Sequence, residues 1–396
     1  MKYFLQVSIA PQKHYIHVCG RIQGFANSSF YMNENFHLIS ASSRGEKIAW
    51  YMEKEKPHPA FDLVSRPIHF ETQNDEIEFE YDGYIPEIIA GINQIDENTV
   101  ELASYSGWYP KPPSLEENLE FELDIQMPKG YEIVSNGKLT DENHISSMRR
   151  ECDIVLFASN ELTRYEYCES GVKCTFLCPE DMLAQMEQRA KDLVAANSYF
   201  ISKYGELDMC GRPTDIVSVF RPRAGWGYKR GNASFIAAEW GKKERQYKDD
   251  FHELAHGWWN IANVMTNDWI NEGGAEFSAY AASKQIYGEA YAEKYISNCV
   301  EAIDQATENI SIVDTDYQSK DRYVNHYMKT AMMFIRAQKE FGEERIFGLL
   351  KRIFQTFQGT RNATTANFLA FCDDDMRTYF EKCLFAKEWG KVDFGA

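Results

Sequence analysis

The feature that most constrains the fold of this chain is a change in the spacing of its apolar residues near residue 178. Before that point, apolar residues alternate with charged ones in short runs, as at Ile77, Phe79 and Tyr81, which are separated by single glutamates. A period of two gives a strand one buried face and one face in water. Beyond that point, apolar residues recur at helical spacing, beginning with residues 182–204. The change excludes a purely helical bundle and a purely β protein, and it predicts an α+β fold of two domains.

The first predicted domain covers residues 1–178 and consists of antiparallel strands. A second alternating run extends over residues 119–125, and turn-forming pairs such as Asp82-Gly83 and Asn136-Gly137 are expected to separate the strands. Strands with one apolar face must pack that face against another layer. We therefore expect an N-terminal antiparallel β-sandwich.

The second predicted domain covers residues 179–396 and is mainly helical. Two short apolar runs are typical of strands, whereas helical spacing extends over four later segments. The strands are expected at 216–220 and 235–238, and the helices at 251–262, 272–287, 323–341 and 343–357. Gly205, Gly288 and Gly342 each follow a helical segment, at the position where glycine commonly ends a helix.

Composition narrows the classes of function. Lys and Arg number 42 and Asp and Glu number 60, a formal net charge of −18, whereas nucleic-acid-binding domains usually carry a basic surface. The sequence contains no run of about 18 apolar residues, so no membrane-spanning helix is predicted. The N-terminal segment is interrupted by Gln6 and is unlike a signal peptide, and the nine cysteines include no CxxC pair. We expect a cytoplasmic protein with reduced thiols, no nucleic-acid partner and no membrane contact.

The strongest chemical signal is the pentapeptide His252-Glu253-Leu254-Ala255-His256. Helix geometry places residues i and i+4 on one face, so both imidazoles can reach the same metal ion. The Glu253 carboxylate lies one residue along, where it can accept a proton from water at that metal. Five residues alone also fit a surface helix that carries two histidines without a metal.

A third ligand decides between these readings, because catalytic zinc usually has three protein ligands and one open position. Glu272 stands sixteen residues after His256, at the predicted start of the next helix. Two antiparallel helices joined by a short loop would bring it beside the histidines. Glu276 follows four residues later on the same face. It is the alternative ligand, a carboxylate that orients a ligand imidazole, or a solvent-facing side chain.

The segments HELAHGWWNIANV and WINEGGAEF resemble the aminopeptidase-N family of gluzincins, which includes leukotriene hydrolases. The resemblance implies that His252, His256 and Glu272 bind one zinc ion per chain. It also implies a β-sandwich domain followed by a thermolysin-like catalytic domain. The family usually has eighteen residues between the second histidine and the glutamate, and this chain has fifteen.

Downstream, the segment YMKTA at residues 327–331 is similar to the family's Y-x-K-G segment. The resemblance implies that Tyr327 donates a hydrogen bond to the tetrahedral intermediate, which a neutral phenol can do at pH 7. Tyr323, one turn earlier, is the competing tyrosine. Either residue could instead be a half-buried helical tyrosine with no catalytic role.

The family's G-A-M-E-N segment, whose glutamate binds the substrate amine, has no acidic counterpart here. The comparable residues 225–230 read GWGYKR, with Tyr228 at the position of the glutamate. We expect the backbone at Gly225 and Gly227 to allow close approach of an extended peptide. Lys229 and Arg230 could hold a substrate carboxylate, or they could be solvated loop cations.

Together, these features predict a zinc-dependent metallopeptidase that hydrolyses small peptides, with Glu253 as general base. Aminopeptidase-like activity is the expectation from the resemblance. Because the amine-binding glutamate is missing, an endopeptidase or another hydrolase on the same zinc site, such as an epoxide hydrolase, stays open. A non-catalytic zinc-binding interaction protein is the alternative from another class. No motif indicates the oligomeric state.

Overall fold

The computed structural model describes residues 1–53, 64–85, 93–113, 119–147, 151–207, 215–222, 227–241 and 246–389. The chain divides into two compact units. The first unit comprises Met1–Glu166, Thr175–Ala184 and Ile216–Lys242, and the second comprises Tyr167–Cys174, Gln185–Asp215 and Lys243–Ala396. Because these units cross residue 178, the domain ranges 1–178 and 179–396 stay a prediction.

Twenty strands follow one another in the described ranges. They are β1 (Lys2–Ala10), β2 (Tyr15–Gln23), β3 (Ser29–Asn33), β4 (His37–Ser43), β5 (Glu46–Lys47), β6 (Trp50–Met52), β7 (Ser65–Phe70), β8 (Glu76–Tyr84), β9 (Gln94–Ile95), β10 (Thr99–Leu102), β11 (Glu120–Gln126), β12 (Glu132–Ser135), β13 (Lys138–Leu139), β14 (His144–Ser146), β15 (Leu156–Ser159), β16 (Thr163–Glu169), β17 (Val172–Cys178), β18 (Asp215–Arg221), β19 (Tyr228–Arg230) and β20 (Ala233–Ala237).

The same ranges contain nine α-helices. They are α1 (Leu183–Tyr204), α2 (Ala238–Gly241), α3 (Gln246–Ala255), α4 (Asp268–Tyr287), α5 (Glu289–Asp304), α6 (Thr330–Phe341), α7 (Glu343–Phe357), α8 (Thr365–Phe371) and α9 (Asp374–Leu384). A π-helix, Tyr323–Lys329, leads directly into α6. Among the described helices, none combines the length and the apolar character needed to cross a bilayer.

The first unit contains three sheets that share one apolar core. The strand orders are β13-β14-β11-β1-β2-β8-β4-β5, β12-β15-β10-β9 and β3-β7-β6. On β8, Ile77, Phe79 and Tyr81 are buried as the period of two predicts, and the acidic residues between them lie on the opposite face. Side chains of all three sheets meet in this core. The arrangement confirms the predicted β-sandwich.

Within the eight-stranded sheet, β1 pairs with β11 in parallel, unlike the other pairs described for that sheet. Parallel neighbours need a long connection between them, because a tight hairpin reverses the chain. Residues 11–119 supply that connection. The alternation of residues 119–125 predicted the strand but not the direction of its partner.

The turn predicted at Asp82-Gly83 is wrong, because both residues lie inside β8. A Cβ atom on Gly83 would stand 2.5 Å from the Phe36 ring, so the glycine serves close packing rather than a change of direction. By contrast, Asn136-Gly137 connects β12 and β13 as predicted.

A fourth sheet has the order β16-β17-β18-β20-β19. Strands β18 and β20 confirm the two strands expected after residue 215, and they pair in parallel. A separate apolar core joins Val219 and Phe235 of this sheet to Val134 and Phe157 of the four-stranded sheet. Tyr228 of β19 belongs to this core, and its ring stacks on Phe235 at 4.8 Å.

The second unit is organised around α4. Between residues 268 and 283 every residue except Glu272 is buried. A helix that is buried on all sides lies at the centre of its fold. Gly273 allows a close approach at this centre, since a Cβ atom there would stand 2.0 Å from Thr330 Cγ2. Polar side chains on α4 must consequently find partners inside the protein.

The predicted helices are present, but several differ from their predicted bounds. Helix α4 begins at Asp268 rather than at residue 272, and residues 323–329 form a π-helix rather than the start of an α-helix. Helix α3 ends at Ala255, although helical spacing suggested an extension to residue 262. The backbone turns at Gly257, and the consecutive residues Trp258 and Trp259 are both fully buried. The backbone N–H groups of Gly257 and Trp258 donate to the carbonyl oxygens three residues earlier, so the chain leaves the α-helical path at this point.

Candidate active site

The HExxH segment is held by α3. His252 and Glu253 lie in its last turn, and the backbone N–H of His256, just beyond the helix, donates to the His252 carbonyl oxygen at 3.2 Å. Helical geometry therefore continues through His256 and places both imidazoles on one face. Their Nε2 atoms lie 3.1 Å apart.

Glu272, in the second turn of α4, completes the cluster. Its Oε2 atom lies 3.4 Å from His252 Nε2 and 3.3 Å from His256 Nε2. Tetrahedral ligands bound to zinc at about 2.0–2.2 Å stand about 3.3–3.6 Å from one another. The two imidazole nitrogens and the carboxylate oxygen thus form a triangle of the size that one zinc ion requires. Both the donor set and its geometry fit zinc.

Glu276 lies one turn further along α4 and is fully buried. Its Oε2 atom accepts a hydrogen bond from His252 Nδ1 at 2.9 Å. Its Oε1 atom accepts from Lys248 Nζ at 2.6 Å and from the Tyr295 hydroxyl at 2.8 Å. With the proton on Nδ1, the Nε2 lone pair of His252 is directed at the cluster. This contact corresponds to one of the roles expected for Glu276, the orientation of a ligand imidazole.

Two other contacts fix the remaining ligands. Arg322 donates to Asp268 and stands 3.6 Å from Glu272 Oε1, so that Oε2 is the oxygen facing the histidines. His256 Nδ1 donates to the Trp259 carbonyl oxygen at 2.9 Å. Each of the three candidate ligand side chains is therefore held by a partner outside the triangle.

The charges of the cluster are strongly coupled. Burial opposes ionisation of Glu272, but the nearby His256 and His252 outweigh it and hold the Glu272 pKa well below its usual value. Burial likewise opposes protonation of His252, yet hydrogen bonds and charges from Glu272 and Glu276 raise its pKa to about 10. Against burial, Lys248 and His252 lower the pKa of Glu276. Both carboxylates are ionised at neutral pH, and a metal ion binding here displaces a proton from His252.

The predicted general base and oxyanion donor adjoin the cluster. Glu253 is buried and follows His252 directly on α3. The Tyr327 ring stacks on the His252 imidazole, with centroids 5.4 Å apart and planes at 11°. Burial, the charge of Glu272 and a hydrogen bond to it raise the Tyr327 pKa well above its usual value, so the phenol keeps its proton.

Tyr323 lies four residues before Tyr327 on the same π-helix and is 53% exposed. Its ring packs against that of Tyr327, with centroids 4.7 Å apart. Of the two tyrosines, Tyr327 is the one with a described ring contact to His252, a candidate ligand.

Solved structures with the same architecture are zinc peptidases and a related hydrolase. An M1 zinc metallopeptidase from Deinococcus radiodurans has a TM-score of 0.76 at 11% identity, covering 99% of this chain and 95% of that chain. A mutant M1 zinc metallopeptidase from the same organism, bound to a Tyr-Ser-Ala substrate, has a TM-score of 0.78 at 12% identity over the same shares. Yeast LTA4 hydrolase in complex with bestatin has a TM-score of 0.73 at 15% identity, covering 96% of this chain and 65% of that chain.

The chain has the fold of the M1 zinc metallopeptidases. This confirms the α+β, two-domain class and the aminopeptidase-N-like gluzincin fold that the sequence predicts. No protein-family profile matches the chain, and no curated protein is detectably similar to it in sequence.

Of the residues predicted to contact substrate in this M1 fold, Gly225 lies outside the described ranges, and Gly227 immediately precedes β19. Tyr228 is buried, and its hydroxyl donates to Glu101 Oε1 at 2.9 Å. The same oxygen accepts from Arg221 Nη1 at 3.3 Å. The Tyr228 hydroxyl is therefore engaged within the first unit.

Arg230 is similarly engaged. Its Nε atom donates to Asp153 Oδ2 at 3.0 Å, and its Nη2 atom donates to the Tyr105 hydroxyl at 2.8 Å. These contacts account for much of the donor capacity of the guanidinium. A role for Tyr228 or Arg230 in binding substrate stays a prediction.

Four polar residues that sequence reasoning did not single out support the metal-ligand cluster of this M1 fold: Lys248, Asp268, Tyr295 and Arg322. Two of them carry a detectable signal, because Lys248 precedes His252 by one helical turn and Asp268 precedes Glu272 by one helical turn. A charged residue four positions before each candidate ligand would have identified them. Tyr295 and Arg322 come from other elements, and no local pattern marks them.

Proposed function

We propose that this protein is a zinc-dependent peptidase whose catalytic metal is held by His252, His256 and Glu272. The proposal is carried by the distances of 3.1, 3.3 and 3.4 Å between their ligand atoms, on a fold shared with M1 zinc metallopeptidases. When bound there, zinc would polarise the scissile carbonyl and lower the pKa of a water molecule. Three protein ligands leave a fourth position for that chemistry.

Two residues of the chain move or hold protons in this proposal. Glu253, beside His252, accepts a proton from the attacking water and returns it to the leaving amine. Tyr327 donates a hydrogen bond to the carbonyl oxygen as negative charge develops on it. The raised Tyr327 pKa supports this role, because a donor must keep its proton at the working pH.

The proposed substrates are small peptides with a free amino group, which makes the activity aminopeptidase-like. The bound Tyr-Ser-Ala substrate of the D. radiodurans mutant supports peptides of about that length. An amine in a partly dry site needs a carboxylate partner. Residues 227–230 supply none, so the amine contact must come from an acid elsewhere. The lack of an acidic residue at 227–230 also favours the second candidate, an endopeptidase that binds the peptide backbone rather than a free amino group.

Paired fluorogenic substrates test the proposal. An aminoacyl substrate with a free α-amine is compared with its N-acetylated form, on purified protein of measured zinc content. We expect cleavage of the free-amine form, loss of cleavage in the presence of a chelator, and recovery when zinc is added. Preferential cleavage of the acetylated form would establish the endopeptidase instead. Full activity in chelator, or no zinc bound after zinc addition, would reject a zinc peptidase.

A further inference from the structure

A second cluster of metal-ligating side chains lies in the first unit, on the outer face of the eight-stranded sheet. His17 and Cys19 are two residues apart on β2, so the strand period points both side chains to the same face. The antiparallel register places Glu80 of β8 directly opposite Cys19. One ligand atom from each of the three residues lies within 4.8 Å of the others, and His17 Nε2 stands 3.0 Å from Glu80 Oε1.

The surroundings of this cluster favour a cation. Four acids occupy the outer face of β8, namely Glu76, Glu78, Glu80 and Asp82. Their hydrogen-bond and ion-pair partners in the described chain are neutral or weakly basic: Gln23, Ser42, His17, Tyr15 and His37. Arg21, across from Glu78 in the register, has its guanidinium 4.6 Å from the Phe4 ring. This strand face is therefore rich in negative charge, which raises the local concentration of cations.

We propose that His17, Cys19 and Glu80 form a second zinc site, separate from the peptidase cluster. The donors are an imidazole nitrogen, a thiolate sulfur and a carboxylate oxygen, all of which zinc accepts, and a fourth position is left for water. Zinc-bound sulfur, nitrogen and oxygen atoms stand about 3.3–3.7 Å apart, so the side chains need to close by roughly 1 Å. All three are half-buried and can make that adjustment by rotating.

The site binds zinc less tightly than the peptidase cluster does. There, Glu276 holds His252 from behind and leaves Nε2 directed at the metal position. Here, the His17 nitrogen bonded to Glu80 is the same Nε2 that would bind zinc, so the metal must replace an existing hydrogen bond. The thiol of Cys19 must also lose its proton on binding.

Cobalt(II) distinguishes the two clusters, because only the proposed site contains sulfur. Full-length protein holding one equivalent of zinc, which fills the tighter peptidase cluster, is titrated with Co²⁺ in a non-chelating reductant, and the thiolate-to-cobalt charge-transfer absorption in the near ultraviolet is recorded. We expect this band in the wild type and its loss in Cys19→Ser. His17→Ala and Glu80→Gln, which keep the thiol, should weaken and shift the band. Cys168→Ser removes an exposed thiol elsewhere and should leave the band unchanged.

Several results overturn the proposal. These are the absence of the band at saturating Co²⁺, its persistence in Cys19→Ser, and its loss in Cys168→Ser. An unfolding midpoint for each variant identifies a variant that does not fold. If Cys19→Ser does not fold, the band is measured in Glu80→Gln instead. An unchanged band in Glu80→Gln would reject the proposed site. Peptide hydrolysis by the Cys19 variant should equal the wild-type rate, because Cys19 belongs to neither the metal-ligand triangle nor its supporting residues.

Discussion

The two candidate metal-ligand clusters in the described part of the chain are built on different secondary structure, and the difference shows what organises a metal site. In the helical cluster of the second unit, the side chains of His252, His256 and Glu272 are 9–17% exposed, and their donor atoms lie 3.1–3.4 Å apart. In the first unit, ligands two residues apart on a strand are half-buried, with donor atoms within 4.8 Å. Each candidate ligand of the helical cluster also has a partner outside the triangle, whereas His17 contacts only another candidate ligand, Glu80, among its described side-chain contacts. The residues that hydrogen-bond to the candidate ligands, more than the ligands themselves, fix the positions of the donor atoms before a metal binds.

The largest effect is expected from Glu253→Gln, which separates chemistry from metal binding in the helical cluster. The amide cannot accept the water proton, so turnover of a free-amine peptide should fall by about 10²–10⁴-fold. Zinc content, measured by elemental analysis, should stay at the wild-type value. Loss of zinc together with activity would show that Glu253 helps to hold the metal.

A somewhat smaller loss is expected from Tyr327→Phe, which removes the proposed oxyanion donor and keeps the ring that stacks on His252. The value of kcat should fall by about 10²–10³-fold, with little change in KM or zinc affinity. Tyr323→Phe is the matched control, because Tyr323 is exposed and its ring packs against Tyr327. Similar losses in both variants would contradict the assignment to Tyr327.

Glu276→Gln tests whether the hydrogen bond between His252 and Glu276, which has no counterpart among the described contacts of the strand cluster, increases zinc affinity. Removal of the charge behind His252 should weaken zinc binding by about 10–100-fold, measured by competition with a chromophoric chelator. Glu301→Gln, on the exposed face of α5, is the control and should leave the affinity unchanged. An unaltered zinc affinity in Glu276→Gln would mean that His252, His256 and Glu272 keep their geometry without the hydrogen bond from His252 to Glu276.

The smallest effect is expected from Glu80→Gln in metal-free protein. The side chains of His17 and Glu80 are 31% and 38% exposed, so water competes for the hydrogen bond between them. The free energy of unfolding, measured with urea, should change by less than about 1 kcal/mol. Glu78→Gln on the same strand face should behave alike. A loss of unfolding free energy well above about 1 kcal/mol would show that the contact between His17 and Glu80 stabilises the fold. The strand cluster would then be as firmly held as the helical cluster.

Local geometry explains which parts of the site were predictable from sequence. The spacing of His252 and His256 fixes their common helix face, and the same rule places Glu276 one turn beyond Glu272. In the sandwich, the alternation in β8 sets which side chains are buried, since a strand has only two faces. In each case the residues involved are separated by four positions or fewer in the sequence, so the local pattern is sufficient to predict their arrangement.

The remaining features depend on contacts between distant segments. Arg322 and Tyr295 reach the cluster from other helices, and Gly83 is explained only by the Phe36 ring that packs against it. Trp258 and Trp259, just beyond the end of α3, donate their indole N–H groups to Gly205 and Ser278, contacts that helical spacing in the sequence does not reveal. The parallel pairing of β1 with β11 likewise depends on the path of a long connection.

The π-helix Tyr323–Lys329 makes the length of this segment as important as its composition. A π-turn accommodates one residue more than an α-turn. If the same seven residues wound as a regular helix, with fewer residues per turn, they would complete more rotation than the π-helix does, and Arg322 would face another direction relative to α6. The guanidinium would then no longer stand beside Asp268 and Glu272, although no residue of the cluster had changed. For anyone transplanting this site into another scaffold, the winding of that segment is part of the specification.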